Sequence, residues 1–332
     1  MWFEELTGFR EISPRYVRQN MSCQGNTLLS HANGRKFEAG VLEIPTLARL
    51  RARSAKSLDQ QGPGKLISIR EIVADVQSLH LDQDNSGAMF QVASQFNLLE
   101  MISPQVTPEQ GITGYAHDLT QGPACAMAAA AGTIYRNYFV PLNGQQGQST
   151  DSQIDCLSDI ARALDNTGNR LWKMQNGYAL ASKTGLEEIT AILTRASEAD
   201  KDNLRKLLRI GIQSQTEVTL ENCDHKISQC YCSALPVAYS GHPVELWKEF
   251  AQLVLQASYE ATFCAALANY ERTGNNKLYL TLLGGGAFGN EPEWIIGAIA
   301  RALDLFRNTG LDVVIVSHGH PNGLVRQLIS RI

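Results

Sequence analysis

A glycine-rich stretch in the last fifth of the chain has the residue types that bind phosphate. It follows an apolar run, Leu278–Leu283, and precedes a helical pattern that begins at Glu293. Glycines let the backbone approach a phosphate closely, and the following helix N-terminus offers free N–H groups and partial positive charge. A purely structural turn is the alternative, but it requires one or two glycines rather than four in six positions. The pattern therefore predicts a phosphate-binding loop, and its residues are Gly284, Gly285, Gly286, Ala287, Phe288, Gly289 and Asn290.

The same stretch matches the G-x-G-x-x-G fingerprint of dinucleotide-binding proteins at Gly284, Gly286 and Gly289, which by itself is a weak signal. A nicotinamide site also needs an acidic residue at the end of the next strand to hold the ribose. That strand ends at Val316–His318, and its acid, Asp312, lies at the wrong end. The sequence therefore disfavours a Rossmann-type oxidoreductase. The lack of Gly-Lys-Ser/Thr in the stretch excludes a Walker loop.

A second loop, Tyr115–Cys125, places polar groups just before an alanine-rich helix predicted over Pro123–Tyr135. Capping of that helix by Asp118 or Thr120 explains the loop on its own. However, two helix N-termini beside parallel strands can hold the two halves of one diphosphate. The residues of this loop that we expect to contact a ligand are Thr120, Gln121, Gly122 and Cys125.

Upstream, Gln91–Leu99 ends a short buried strand with Gln95 and Asn97, whose uncharged side chains suit ribose hydroxyls. An equally good explanation is that both amides stabilise a turn. Both explanations stay open at this point.

The elements that must position these loops alternate along the chain. The apolar patterns predict strands near 66–73, 89–93, 227–239, 278–283 and 313–316. They predict helices near 123–135, 154–164, 186–208, 244–270 and 293–306. This alternation indicates an α/β fold with a mainly parallel sheet covered on both faces. Before it, Asn33-Gly34 predicts a short hairpin, and Gln60–Gly64 is a break.

Composition narrows the class of protein. The chain has 332 residues, 44% of them hydrophobic, and a net charge of −4. No block of Lys and Arg is present, which argues against nucleic acid as the partner. Seven scattered cysteines suit reduced thiols rather than a zinc site. His318 and His320 lack a third ligand, so no metal is expected.

The sequence shows neither of the two segment types that direct proteins to membranes, a membrane span or a signal peptide. No apolar stretch approaches the roughly 20 residues of a membrane span. Met1–Glu5 has no basic region followed by an apolar run, so a signal peptide is not expected. We therefore expect a cytoplasmic protein without a membrane partner, with export by a specialised secretion system as the alternative.

Taken in order, these segments resemble a macrodomain of the poly(ADP-ribose) glycohydrolase-like branch. Gln91–Leu99 stands where that family has a strand ending in Asn-Ala-Asn followed by leucine. The region from Tyr259–Thr262 to Gly284–Pro292 resembles its second phosphate loop and flanking helices. The chain departs from the family at Asp118–Gly122, where Gly-Gly-Gly followed by Gln-Glu-Glu is missing. Thr120–Ala126 is more similar to MavL-type effectors, which remove ADP-ribose from modified ubiquitin.

The resemblance implies a three-layer α/β/α macrodomain-like fold over residues 65–332, with residues 1–64 as an N-terminal extension packed on the core. It implies that ADP-ribose is the ligand or product, that no cofactor is required, and that an ADP-ribosyl linkage on a protein, with ubiquitin as one candidate, is hydrolysed. A carboxylate would orient or deprotonate water at the distal ribose, with Asp118 as the first candidate. Asp224 and Glu217, taken to lie in the loop before Ile227, come second. Phe288 would pack on a ribose or in the core.

Two other functions remain open from the sequence. The protein could read ADP-ribose without cleaving it, since the family's usual glutamates are missing. It could also be a scaffold whose loops are only structural.

Overall fold

The computed structural model describes residues 1–60, 65–220 and 223–331. Its strands are β1 (Met21–Gln24), β2 (Thr27–Ser30), β3 (Lys36–Glu38), β4 (Val41–Glu43), β5 (Ser68–Val73), β6 (Met89–Ala93), β7 (Pro141–Leu142), β8 (Gln145–Gln146), β9 (Trp172–Gln175), β10 (Tyr178–Ala181), β11 (Gly211–Glu217), β12 (Lys226–Cys232), β13 (Lys277–Leu280) and β14 (Asp312–Ser317). Its helices are α1 (Trp2–Thr7), α2 (Pro14–Asn20), α3 (Leu47–Gln60), α4 (Val76–Leu81), α5 (Gln121–Ala128), α6 (Ala130–Tyr138), α7 (Ser158–Ala163), α8 (Lys183–Arg195), α9 (Glu198–Arg205), α10 (Lys248–Thr273), α11 (Pro292–Leu305) and α12 (Gly323–Ile329).

A seven-stranded sheet forms the centre of the molecule, in the order β4-β11-β12-β6-β13-β14-β5. The five strands from β12 to β5 are mutually parallel. β11 is antiparallel to both of its neighbours, β12 and β4. The predicted mainly parallel, mixed sheet is therefore confirmed.

Helices cover both faces of this sheet, as the alternation of side chains along its strands shows. On one face, Gln91 of β6 and Cys230 of β12 both approach Thr262 of α10. On the other face, Phe90 of β6 stacks on His80 of α4, with ring centroids 4.1 Å apart. The predicted three layers are confirmed. Cys230 and Cys232 share a face as small packing groups, with their sulfurs 3.9 Å apart.

The N-terminal segment has a small core of its own and also enters the central sheet. β1, β2 and β3 form an antiparallel sheet, and the predicted hairpin at Asn33-Gly34 joins β2 to β3. Phe3, Phe37 and neighbouring apolar side chains pack with α6 in a second buried cluster. β4 pairs with β11 as the sheet's edge strand. The division at residue 64 stays a prediction, and the predicted break at Gln60–Gly64 lies, after Gln60, outside the described residues.

The helix predicted over 186–208 is two helices, α8 and α9, and the strand predicted over 227–239 ends at Cys232. Two further predicted elements are broken or shortened by contacts that can be identified. The alanine-rich helix is split into α5 and α6 because Thr219 inserts at Ala129: its N–H donates to the Ala128 carbonyl, and its Oγ1 accepts from the Ala130 N–H. The helix predicted over 154–164 begins only at Ser158, after a turn in which the Asp155 carboxylate accepts from the Leu157 N–H and the Cys156 N–H donates to the Phe96 carbonyl.

Candidate functional site

A cleft of about 900 Å³ lies where β5, β6, β13 and β14 end. Parallel strands end at one edge of a sheet, so the loops that follow them meet there. The cleft is lined by parts of segments 74–77, 93–102, 116–127, 281–288 and 316–322. The two loops that the sequence singled out therefore face one crevice, as predicted.

The glycine-rich loop is shaped by two glycines and an asparagine. Gly284 has a φ of +76°, and a Cβ there would lie 2.4 Å from the Cβ of Ala234. Gly289 has a φ of +67° and closes a turn onto the Gly286 carbonyl. Asn290 is buried behind the loop, where its Nδ2 donates to the Leu235 carbonyl over 2.8 Å. Gly284–Phe288 line the cleft, whereas Gly289 and Asn290 support the loop from behind.

The part of this loop that lines the cleft carries unpaired donors. Among the described residues, no acceptor takes the N–H groups of Gly284, Gly286, Ala287 or Phe288. α11 follows at once, with Pro292 at its first position. Successive free N–H groups and a helix N-terminus together attract an anion.

The start of α5 supplies a second set of donors. Thr120 is the N-cap residue, and its side chain makes no capping hydrogen bond. The N–H groups of Gln121 and Gly122 have no acceptor among the described residues. The Gln121 side chain is already used, because it accepts from the Ala93 N–H and donates to the Gln91 carbonyl. Gln121 therefore fixes α5 to the end of β6 and offers its backbone, rather than its amide, to a ligand.

Gly122 permits a close approach between α5 and the floor of the cleft. A Cβ at this position would lie 2.2 Å from the Ala93 carbonyl oxygen and 2.4 Å from Oε2 of Glu100. A larger residue would push α5 away from β6.

Glu100 is a cleft residue that the sequence did not single out. Its side chain is only 5% exposed, and its Oε1 has no hydrogen-bond partner among the described residues. Burial raises the pKa of the Glu100 carboxyl well above its usual range; the Arg136 guanidinium opposes the shift and the Asp118 carboxylate adds to it. The one sequence feature that could have pointed to Glu100 is that this acidic residue directly follows the apolar pair Leu98-Leu99.

Asp118, the first candidate for the catalytic carboxylate, lies at the cleft. Asp118 is partly exposed and lines the wall. Its Oδ1 accepts from the Thr120 N–H over 2.9 Å, and its second oxygen is left for other partners.

Three other residues predicted to contact the ligand are buried or make hydrogen bonds within the protein. Gln95 lines the cleft, but its Oε1 accepts from the Met101 N–H. Asn97 is fully buried, and its amide is bonded to Gln153 and to the Leu99 N–H. Cys125 is also fully buried, and burial raises the pKa of its thiol well above the usual range. Neither Asn97 nor Cys125 lines the cleft, and the hydrogen bonds of Asn97 fit the turn explanation; their ligand contacts stay a prediction.

Asp224 and Glu217 lie at the opposite edge of the sheet. Glu217 is the last residue of β11, not part of a loop, and pairs with Lys226 at the start of β12. Because β12 runs parallel to β6, its start is remote from the cleft at β6's end. Glu217 accepts from the Glu38 N–H, and Asp224 from the Gln83 side chain. The structure removes both from the candidate site.

The two ends of the cleft differ in chemistry. Near Glu100, Phe288 packs against Tyr178 and Tyr239, with ring centroids 5.4 and 5.6 Å away. At the other end, His318 and His320 lie close to the loop after β5.

Across the described residues, no group of three His, Cys, Asp or Glu side chains could hold a metal ion. Within that same part of the chain, no helix is long and apolar enough to cross a membrane.

Comparisons with known proteins give distant structural likenesses. No protein-family model and no curated protein matches the sequence. The chain is similar to poly(ADP-ribose) glycohydrolase from Deinococcus radiodurans in complex with ADP-ribose, at 9% identity, 87% coverage of this chain, 92% of that chain and a TM-score of 0.45. It is also similar to the enzyme from Thermomonospora curvata, at 11% identity, 96% and 95% coverage and a TM-score of 0.47. The Thermomonospora curvata enzyme bound to the inhibitor ADP-HPD gives 11% identity, 96% and 95% coverage and a TM-score of 0.44.

Proposed function

We propose that the cleft binds ADP-ribose, with its diphosphate between the glycine-rich loop and the start of α5. The observation that carries this proposal is that two sets of N–H groups without acceptors among the described residues lie on one cleft, one from Gly284, Gly286, Ala287 and Phe288 and the other from Gln121 and Gly122. A single phosphate needs one such set, whereas a diphosphate uses both. The macrodomain resemblance of the same segments in the sequence agrees with this choice.

The two ends of the cleft suit the two ends of ADP-ribose. The aromatic group Tyr178, Tyr239 and Phe288 offers an apolar face for the distal ribose, beside the carboxyl groups of Glu100 and Asp118. The end near Asp75 and His318 receives the adenosine. Asp75 caps the Gln77 N–H with one oxygen, and its other oxygen is left for a ligand.

We further propose that the protein hydrolyses the bond between the distal ribose and a modified protein side chain. Asp118 orients or deprotonates the attacking water, and the loop N–H groups hold the diphosphate so that C1″ stays in place. ADP-ribosylated ubiquitin is one substrate to test. A cytoplasmic location fits this substrate class.

Titration calorimetry tests the binding proposal. ADP-ribose should bind more tightly than AMP, NAD or ATP, because only ADP-ribose places a diphosphate between both loops and a free ribose at the aromatic end. It should also raise the melting temperature through mass action. Equal affinities for AMP and ADP-ribose would contradict the proposal.

A reader that binds ADP-ribose without cleaving it is the second candidate. It is favoured by the missing Gln-Glu-Glu sequence and by the capping bond that Asp118 makes to the Thr120 N–H. Incubation with ADP-ribosylated protein distinguishes the two: released ADP-ribose supports the hydrolase, and tight binding without release supports the reader.

A further inference from the structure

Oε1 of the buried Glu100 carboxyl group has no hydrogen-bond partner among the described residues. The Glu100 side chain is 5% exposed in the cleft wall. Oε2 lies against Gly122, at the start of α5. A charged carboxylate left without donors at a buried site is costly, whereas a neutral carboxyl group costs less. The site therefore favours the protonated form, with a hydrogen to donate.

The charged and titratable groups around Glu100 support a protonated state. Arg136 is the cation that faces it, but the guanidinium is engaged by the Leu98 carbonyl and the side chains of Thr133 and Gln213. Asp118 adds repulsion. The groups that face Glu100 from the surrounding elements are Tyr115, Asp118, Cys125, Arg136, Tyr178 and Tyr231.

The backbone that carries Glu100 is held in a strained conformation. Leu98 has a φ of +64°, which is rare for a residue with a branched side chain. Arg136 Nε donates to the Leu98 carbonyl over 3.0 Å, and a Cβ on Gly211 would lie 2.5 Å from Leu98 Cδ1. The Glu100 N–H donates to the Tyr115 hydroxyl over 2.8 Å. Such strain persists where the surroundings enforce it, and it is concentrated at functional sites.

We propose, on the basis of the proposed hydrolysis, that Glu100 is the general acid and Asp118 the base of one two-carboxyl reaction. The C1″–O bond breaks, its electron pair goes to the leaving side-chain oxygen, and that oxygen takes the proton of Glu100. The water oxygen bonds to C1″ and passes a proton to Asp118. Free ADP-ribose and an unmodified hydroxyl side chain leave, and both carboxyl groups then exchange a proton with solvent. Opposite protonation states of neighbouring carboxyl groups are the usual basis of such a division of roles.

The test compares wild type with Glu100→Gln on two substrates. One is a protein with ADP-ribose on serine, whose alkoxide must be protonated as it leaves; the other is ADP-ribose linked at C1″ to 4-nitrophenol, whose phenolate leaves unaided. Glu100→Gln should lose roughly 10²- to 10⁴-fold in kcat on the serine-linked substrate. It should keep most of its activity on the nitrophenyl substrate and its affinity for ADP-ribose. Glu187→Gln, on the exposed face of α8, is the matched control and should behave as wild type.

Two results would overturn the assignment. Full activity of Glu100→Gln on the serine-linked substrate would make Glu100 structural, and equal losses on both substrates would remove its role as an acid. Infrared difference spectra of wild type against Glu100→Gln give a readout without turnover: a protonated carboxyl band should appear at neutral pH and shift when ADP-ribose binds. A wild-type protein that binds ADP-ribose and cleaves neither substrate would instead refute the proposed hydrolysis, so the two failures are distinguishable.

Discussion

Replacing Gly286 with valine separates ligand binding from folding. Gly286 has no positive φ, and a Cβ there would meet nothing within 4 Å, so the chain itself has room for a side chain. We expect the free energy of unfolding to change by less than about 0.5 kcal/mol, as for most surface substitutions. The added side chain would occupy the space in front of the free N–H groups of Gly286 and Ala287.

The expected loss of affinity follows from those two donors. A hydrogen bond to a charged group contributes about 1.5–3 kcal/mol. Two such bonds to a phosphate give about 3–6 kcal/mol, which corresponds to a rise of roughly 10²- to 10⁴-fold in the Kd for ADP-ribose. Titration calorimetry measures the Kd, and urea unfolding measures the stability.

Two further glycines serve as controls. Gly297→Val, on an exposed and open position of α11, should leave both quantities unchanged. Gly284→Ala should destabilise the fold by more than about 1 kcal/mol, because its φ is +76° and the new Cβ would overlap Ala234. Wild-type affinity in Gly286→Val would refute the reasoning, because the diphosphate then does not lie on this loop.

Two other substitutions probe proton-dependent groups. Asp118→Asn keeps an acceptor for the Thr120 N–H, so the affinity for ADP-ribose should stay near that of wild type. Turnover should fall roughly 10²- to 10⁴-fold. Unchanged turnover would show that Asp118 only caps the N-terminus of α5. Burial lowers the pKa of His80 to about 4, so its contribution to stability is present above the ordinary histidine pKa, about 6.5, and is lost as the pH falls towards 4. Urea unfolding should therefore show up to about 3 kcal/mol of acid destabilisation in wild type that His80→Gln lacks, and parallel pH profiles would contradict this.

The parts of the fold that were predicted well are those whose pattern is contained within one short segment of sequence. β6 is a short buried strand in which Gln91 is the one polar residue, and the loop after β13 combines an apolar run, glycines and a helix start. β11 was missed because Gln213, Ser214 and Thr216 break any apolar alternation although they are buried. The Gln213 side chain is satisfied by distant partners, the Arg136 guanidinium and the Ala39 carbonyl. Such long-range pairing leaves no pattern in the segment itself.

The errors in the candidate site have related causes. Glu217 and Asp224 were misplaced because, with β11 unrecognised, the direction of the chain before β12 was unknown. Asn97 was ambiguous because an amide that stabilises a turn and one that binds a ribose look alike in a sequence. Glu100 was not recognised because its carboxyl group becomes buried and unpaired only when it packs against Gly122, a contact that only the folded chain creates.

The pairing of β4 with β11 bears on how the chain tolerates shortening. β4 is a short edge strand of three residues, whereas its neighbour β11 has seven residues. A chain reduced to residues 65–332 would lack β4, and the N–H and C=O groups that β11 offers to it would become an open template for another molecule. Truncation at the predicted boundary would therefore favour self-association through edge-to-edge strand addition, even though the cleft residues are all retained.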